Sequence, residues 1–440
     1  MKMIFYDRIN ELDLINKVLE RSRSEAQMTV LMGRRRIGKT ELARRCNDKT
    51  LLYFFVARKT ESLLCQDFAQ EAEERLGIPI GWPTSFSELF RYLLVYAETH
   101  PLTLVIDEFQ EFQRVNPSIF SEMQRDWDLH KQKSHINLII SGSVFSLMKR
   151  IFEDAKEPLF GRANQMLHLK PFTTEVLKQI LADHNPNHTP DDMLTLFAVT
   201  GGVPWYVSLL MDNGKTNKDS ILSYMTEENS PFINEGKNIL IEEFGNDYAM
   251  HFSILTCLSG GQLTRGEIEA KLGTTNIGSY LARLENYYNL IEKRLPIFAK
   301  ENEKKVRYAL NDRFLDFWFR FFYKYQSYVA NNALSQLARI IERDFDTYSG
   351  FALERYFEQK LREKGYYTRI GKFWDRKGTN EIDLIAINEI DGIAEIYEIK
   401  RDRQRYDEKA LKEKTEVLLQ NCKELRGIDI RLGVLSMEDL

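Results

Sequence analysis

The string Gly33-Arg34-Arg35-Arg36-Ile37-Gly38-Lys39-Thr40 restricts the fold of this chain more than any other feature. It has the form GxxxxGK[ST] and lies between an apolar run, TVLM, and a helical pattern, ELARRC. In such a loop the glycines let successive backbone N–H groups turn inward around phosphate oxygens, and the positive end of the following helix adds to the field. Lys39 then reaches the β and γ oxygens, and Thr40 offers a hydroxyl to Mg²⁺. The stretch from Gly33 to Glu41 is therefore the candidate nucleotide-binding element.

Four apolar or β-branched runs, Thr29 to Met32, Leu51 to Val56, Leu102 to Ile106 and Ile136 to Ile140, alternate with helical patterns such as Glu41 to Asp48 and Ser62 to Leu76. That alternation predicts an α/β fold with a doubly wound parallel sheet. The third run continues into Asp107 and Glu108, two carboxylates at a strand end. Asp107 is a candidate Mg²⁺ ligand, and Glu108 a candidate base for the attacking water. The fourth run ends in Ser141-Gly142-Ser143, where the Ser143 hydroxyl is a candidate γ-phosphate sensor or part of a structural turn. In Pro158-Leu-Phe-Gly161-Arg162, the arginine is either a finger towards phosphate, in cis or from a neighbouring subunit of a homo-oligomer, or one half of a surface ion pair.

A chain of 440 residues exceeds a single core. Residues 1–170 read as the P-loop core, and 171–245, where helical patterns dominate, as a helical lid. Residues 246–345 give helix, helix, helix and a charged stretch, the order of a winged-helix module, followed by a helical linker. The aromatic segment DRFLDFWFRFFYKY has helical spacing and is expected to pack between domains. Residues 346–440 form a compact α/β module, with a helix from Phe351 to Lys364, strands at Tyr366 to Ile370, Ile382 to Ile387 and Ala394 to Lys400, a helix from Lys409 to Cys422 and a strand from Ile430 to Leu435. Lys plus Arg total 61 against 65 Asp plus Glu, a net charge of -4, which excludes a chain-wide polycationic field but leaves room for local basic surfaces. The four cysteines form no CxxC pair and point to neither zinc nor a disulfide framework. No signal-peptide run and no window near the roughly 18 apolar residues of a membrane span is present, so a cytoplasmic setting without a membrane partner is expected.

The segments FYDRINEL, GRRRIGKT, LVIDE, LIISGS, PLFGR and TGGVPWY resemble, in order, the archaeal-type ATPase family within the STAND branch of AAA+ proteins. The resemblance implies ATP as the ligand and a switch driven by its binding or hydrolysis. It further implies that Arg8 and Glu11 frame the adenine pocket, and that Gly201, Gly202 and Pro204 close over the nucleotide.

A second constellation lies near the C-terminus: Glu354 on a helix, Asp383 in EIDLIA, and Glu398-Ile-Lys400 on a strand. Strand periodicity puts Glu398 and Lys400 on one face. Glu354, Asp383 and Glu398 are candidate metal ligands, able to hold Mg²⁺ against a scissile phosphate, with Lys400 orienting or deprotonating water. Glu354 falls on an apolar helical face with Phe351, Leu353, Phe357 and Leu361, where a carboxylate needs a metal or a basic partner. The E-x-K spacing alone carries nothing, since it recurs at Glu235, Glu269, Glu303 and Glu358. The order of elements is what resembles the PD-(D/E)xK nuclease fold, with Glu381-Ile382 where a proline is usual. The resemblance implies a metal-dependent nuclease acting on nucleic acid, DNA before RNA, or a degenerate module that only binds. Lys400, Arg401, Arg403 and Arg405, and in the winged helix Arg283, Lys304, Lys305 and Arg307, are candidate phosphate contacts. Glu285, Glu301 and Glu303 oppose phosphate there, so a protein partner is the alternative for that module.

Overall fold

Three of the four apolar runs become interior strands of a parallel sheet, and the run from Leu51 becomes one of its edges. In the computed structural model, which describes residues 3–46, 48–245, 248–299, 306–375 and 378–440, β1 (Gln27–Met32), β2 (Leu51–Phe55), β3 (Leu102–Asp107), β4 (Ile136–Ser141) and β5 (Gln165–His168) align in the order β2-β3-β4-β1-β5. Every pairing is parallel. The interior strands β1, β3 and β4 are buried along their whole length, as a sheet covered by helices requires. β5, with the sequence QMLH, is half-buried at the sheet edge, so it lacks the apolar run that announced the other four. Helices Glu61–Leu76 and Phe86–Tyr96 contribute to a core in which Phe54 stacks on Phe68 with ring centroids 4.4 Å apart. The carboxyl ends of β1, β3 and β4 carry the glycine loop, Asp107-Glu108 and Ser141-Gly142-Ser143, at the crevice where open parallel sheets bind ligands.

The sheet belongs to a compact unit, Asp7–Lys170. A second unit comprises the residues up to Tyr6 together with Pro171–Leu440. One apolar core runs through that second unit, joining Leu177, Phe197, Phe232, Leu255, Phe317, Tyr356 and Leu384. Helices occupy Thr174–His184, Pro190–Thr200, Pro204–Asp212, Lys218–Met225 and Phe232–Phe244. Next come helices Ala249–Leu258, Arg265–Leu272 and Gly278–Ala282, the last continuing as a wider turn to Tyr287. With them goes an antiparallel sheet of β6 (Gln262–Leu263), β7 (Ile291–Arg294) and β8 (Arg307–Leu310), in the order β6-β8-β7. Glu301, Glu303, Lys304 and Lys305, expected in the charged stretch between β7 and β8, lie outside the described residues. In the aromatic segment Phe314, Phe317, Trp318, Phe319, Phe321 and Phe322 are buried, and Trp318 Nε1 donates to the Ile233 carbonyl at 2.8 Å.

The linker and the helix expected from Phe351 are one element, Leu334–Glu363, 30 residues long. Tyr348, Ser349 and Gly350 lie between the two expected elements, and Tyr348 and Ser349 are buried on the packed face of the continuous helix. The C-terminal sheet, β9 (Arg369–Trp374), β10 (Glu381–Asn388), β11 (Ile393–Ile399) and β12 (Asp429–Leu435), has the order β12-β11-β10-β9. The β9–β10 and β10–β11 pairs are antiparallel, and β11–β12 is parallel across helix Glu408–Asn421. The expected first strand, Tyr366 to Ile370, is displaced towards the C-terminus in β9. One face of the sheet shares the core of the long helix through Leu384, Ala386 and Ile399, and the other packs Ile382, Ile385 and Ile396 against Leu411 and Leu418. Among the described residues, no helix is long and apolar enough to cross a membrane.

Candidate nucleotide site and C-terminal carboxylate cluster

The loop enters at Gly33, where an added Cβ would come within 3.0 Å of the Leu169 carbonyl, and leaves at Gly38, whose φ of 90° suits glycine. A Cβ at Gly38 would meet nothing within 4 Å, so the loop opens onto free space on that side. Lys39, 6% exposed, donates from Nζ to the carbonyls of Gly33 at 2.8 Å and Arg34 at 3.0 Å. Thr40 donates from Oγ1 to Asp107 Oδ2 at 2.7 Å. The hydroxyl of Tyr53 reaches the same oxygen at 2.5 Å, and Oδ1 accepts from Ser141 Oγ and, at 3.0 Å, from the Glu108 backbone N–H. Burial pushes the Asp107 carboxyl up, but the bonds from Ser141, Tyr53, Thr40 and Glu108 outweigh it and hold the group below the usual carboxylate range. The same contact and burial push the Tyr53 phenol up.

Glu108 adopts a left-handed backbone with φ 55°. Its Oε2 accepts from Ser143 Oγ at 2.7 Å and from Gln110 Nε2 at 2.5 Å. Gly142 is required here by close approach, since any Cβ would overlap the Gln110 amide and the Met148 side chain. Arg8, 5% exposed, pairs with Glu11 at 3.0 Å and donates to the Lys170 carbonyl at 2.6 Å. Glu41 pairs with Arg45 at 2.9 Å.

The structure thus brings together Thr40 with Asp107, Ser143 with Glu108, and Arg8 with Glu11. It does not bring Arg162 to the loop: that guanidinium is held by Asp128 at 3.2 Å and the Phe160 carbonyl at 2.8 Å, the ion pair that was its alternative reading. Pro204 lies in the second unit, opening helix Pro204–Asp212, while Gly202 accepts from the Phe172 N–H at 2.8 Å. Tyr53, Ser141 and Gln110 were missed as site residues. A serine beside Gly142 was a visible signal for one hydroxyl, whereas nothing in LLYFF marks its tyrosine.

In the C-terminal module a register shift between Ile382 and Ile385 makes an irregularity over Asp383 and Leu384, a device that re-aims a side chain. Asp383 accepts from the Ile399 N–H at 2.8 Å. Burial and the nearby charges of Glu354 and Glu398, opposed by that bond and by Lys372, push its carboxyl up to about 6. Glu354 has the basic partner its apolar setting demands: it is ion-paired to Lys372, which is 4% exposed. Glu398 pairs with Lys400 at 2.8 Å and Lys414 at 3.1 Å. Burial lowers the Lys400 ammonium pKa, but the bond to Glu398 outweighs it and the net shift is upward. Lys372 and Lys414, outside the E-x-K pattern, were not singled out from the sequence. Among the described residues no three His, Cys, Asp or Glu side chains form a group that could hold a metal ion.

The expected basic surface is largely spent on internal pairs. Arg401 is tied to Asp191, Asp346 and Ser349, and Arg403 to Asp439. Arg405 is exposed and lies 3.8 Å from Asp402. Arg283 bonds the Tyr288 hydroxyl at 3.1 Å, Arg307 pairs with Glu381 at 3.1 Å, and Glu285 pairs with Lys293 at 3.4 Å.

Residues 5–210 match a family described as an ATPase domain predominantly from Archaea, and residues 318–413 match one described as "Archaea bacterial proteins of unknown function". An uncharacterized protein of Methanocaldococcus jannaschii is 27% identical over 415 residues, covering 90% of this chain and 87% of its own. A Walker-type ATPase of Pyrococcus abyssi has a similar fold, with a TM-score of 0.54 at 19% identity, over 72% of this chain and 96% of its own. The glycine loop on a five-stranded parallel sheet, the acidic end of β3 and the family match together identify residues 5–210 as a P-loop ATPase domain of archaeal type.

Proposed function

We propose that this ATPase works on Mg²⁺-bound ATP with Glu108 as its base, and that its nucleotide state governs the C-terminal module. The carrying observation is the 2.7 Å bond between the Thr40 hydroxyl and an ionised Asp107, with Glu108 held beside it. Those hard oxygen donors suit Mg²⁺, which when bound neutralises phosphate charge. Lys39, freed from the loop carbonyls, steadies the β and γ oxygens. Because Ser143 and Gln110 both occupy Oε2 of Glu108, its Oε1 remains to accept a proton from the water that attacks the γ-phosphorus as ADP departs. Ser143 senses the γ-phosphate, Arg8 and Glu11 frame the adenine, and Arg162 leaves Asp128 to act on phosphate within one copy or between copies. Lys39→Ala is expected to lose ATP binding, and Glu108→Gln to bind ATP while turnover drops by about 10²- to 10⁴-fold. Wild-type binding by the first variant would refute the loop's role, and wild-type turnover by the second the base.

For residues 346–440 the nuclease-like reading is supported by Asp383 at the register shift, the E-x-K strand and the helix bearing Glu354. The three helices and three strands before it support a winged-helix module that meets DNA or a protein partner. A metal-dependent nuclease in a cytoplasmic setting is the first form of this reading. The ammonium groups on Glu354 and Glu398 favour the second, a regulatory switch whose nuclease-like module is catalytically silent. Supercoiled plasmid in Mg²⁺ or Mn²⁺ separates them: nicking abolished by Asp383→Ala establishes the nuclease, and intact plasmid with ATP binding preserved establishes the switch.

A further inference from the structure

Three carboxylates of the C-terminal module, Glu354, Asp383 and Glu398, face three ammonium groups. Lys372 is ion-paired to Glu354, while Lys400 and Lys414 lie 2.8 and 3.1 Å from Glu398. Asp383 is bonded to the Ile399 N–H and lies within electrostatic reach of Lys372. The cluster is therefore neutral as it stands. Lys372 is the decisive member, because its strand β9 carries it inward to 4% exposure, where an ammonium is retained only if it is paired. A divalent cation joining Glu354 and Asp383 would have to expel that ammonium or share a dry site with it. Either course leaves positive charge unmatched.

We infer that Lys372 takes the place of a divalent cation between Glu354 and Asp383, so that the module does not use a metal. This rests on the nuclease-like reading of residues 346–440 and assigns a role to a residue that reading did not contain. The converse also follows: removing the charge of Lys372 while keeping its length should create a metal site from the carboxylates left behind.

The test is Mn²⁺ binding to the full chain without nucleotide, followed by the electron paramagnetic resonance signal of free Mn²⁺. Wild type and Asp383→Ala should bind Mn²⁺ equally. Lys372→Met should bind it more tightly by about 10- to 100-fold, the scale on which groups behind metal ligands alter affinity, and Lys372→Met with Asp383→Ala should lose the gain. Mn²⁺ bound by wild type and lost in Asp383→Ala overturns the inference, as does a folded Lys372→Met that gains nothing. Should Lys372→Met not fold, the comparison of wild type with Asp383→Ala decides alone. Plasmid cleavage is read separately. Mn²⁺ binding at Asp383 without nicking sinks the inference and leaves the silent-switch reading standing, whereas metal-free nicking lost in Asp383→Ala sinks the silent switch and leaves the inference standing.

Discussion

Asp107 and Asp383 are both acids, one at a strand end and one at a register shift, and their surroundings drive them in opposite directions. Asp107 receives hydrogen bonds from three hydroxyls and a backbone N–H, so its folded carboxyl is more acidic than the unfolded one near about 3.9. It contributes stability above that pH and loses it as pH falls through the folded value. Tyr53→Phe removes one charge-assisted bond, worth about 1.5 to 3 kcal/mol. The variant is expected to melt earlier at pH 7, and the acid limb of its ATPase profile should move to higher pH. An unmoved acid limb would mean that Tyr53 only fills space. Asp383, pushed up to about 6, behaves inversely: above pH 6 its charge is a cost, and between 6 and about 4 the folded state gains stability by taking up a proton. Asp383→Asn, which can still accept from the Ile399 N–H, should therefore raise the melting temperature at pH 7.5 and lose that advantage by pH 4. The sequence already presented both aspartates, and Lys39, Thr40 and Glu108 with them, because loop and strand end are contiguous motifs. Tyr53 and Lys372 were hidden because each meets its partner only through sheet pairing or helix packing of distant segments.

Interior strands were legible for the reason that they are interior: β1, β3 and β4 are buried on both faces, so their residues are apolar without alternation. The edge strand β5 and the two-residue β6 lack that signature, and only pairing with a neighbour defines them. The long helix was expected as a linker ending near residue 345 and a helix starting at Phe351, and Gly350, a residue type that often interrupts helices, lies between the two. Its surroundings say otherwise, since a Cβ there would meet nothing within 4 Å and its φ is not positive. Gly350→Ala should stabilise the protein by about 0.5 to 1 kcal/mol through the unfolded state. Gly236, also inside a helix, gives the opposite result: a Cβ would strike the ring of Trp318, itself anchored to the Ile233 carbonyl. Gly236→Ala should cost about 1 to 3 kcal/mol by overpacking. Chemical denaturation of the two variants beside wild type checks both signs, and a Gly350→Ala that destabilises would show that the helix bends there in solution.

Each unit has its own core, one built on the parallel sheet and the other running from Leu177 through the aromatic segment to the C-terminal sheet. A chain built this way can carry a nucleotide signal only if ATP binding changes what the second unit does, and that is a coupling free energy with a required symmetry. If ATP alters the affinity of the second unit for a ligand by some factor, the ligand alters ATP affinity by the same factor, typically about 5- to 150-fold. Double-stranded DNA is the ligand to try, with Lys39→Ala as the variant that severs the signal. The dissociation constant of a non-hydrolysable ATP analogue should shift on adding a saturating oligonucleotide duplex, and duplex affinity should shift equally on adding the analogue. Lys39→Ala should bind the duplex with one affinity, whatever nucleotide is present. Because the described arginines at the end of β11 are all engaged in ion pairs, Arg405 with Asp402 among them, the duplex term should weaken shallowly with salt, in contrast to the steep dependence of a protein that neutralises many phosphates. Duplex binding indifferent to nucleotide, with ATP binding intact, would uncouple the units and turn the search to a protein that contacts the three-helix module. Unequal shifts in the two directions would instead reveal a third equilibrium, such as assembly of copies, since reciprocity between two sites on one molecule admits no exception.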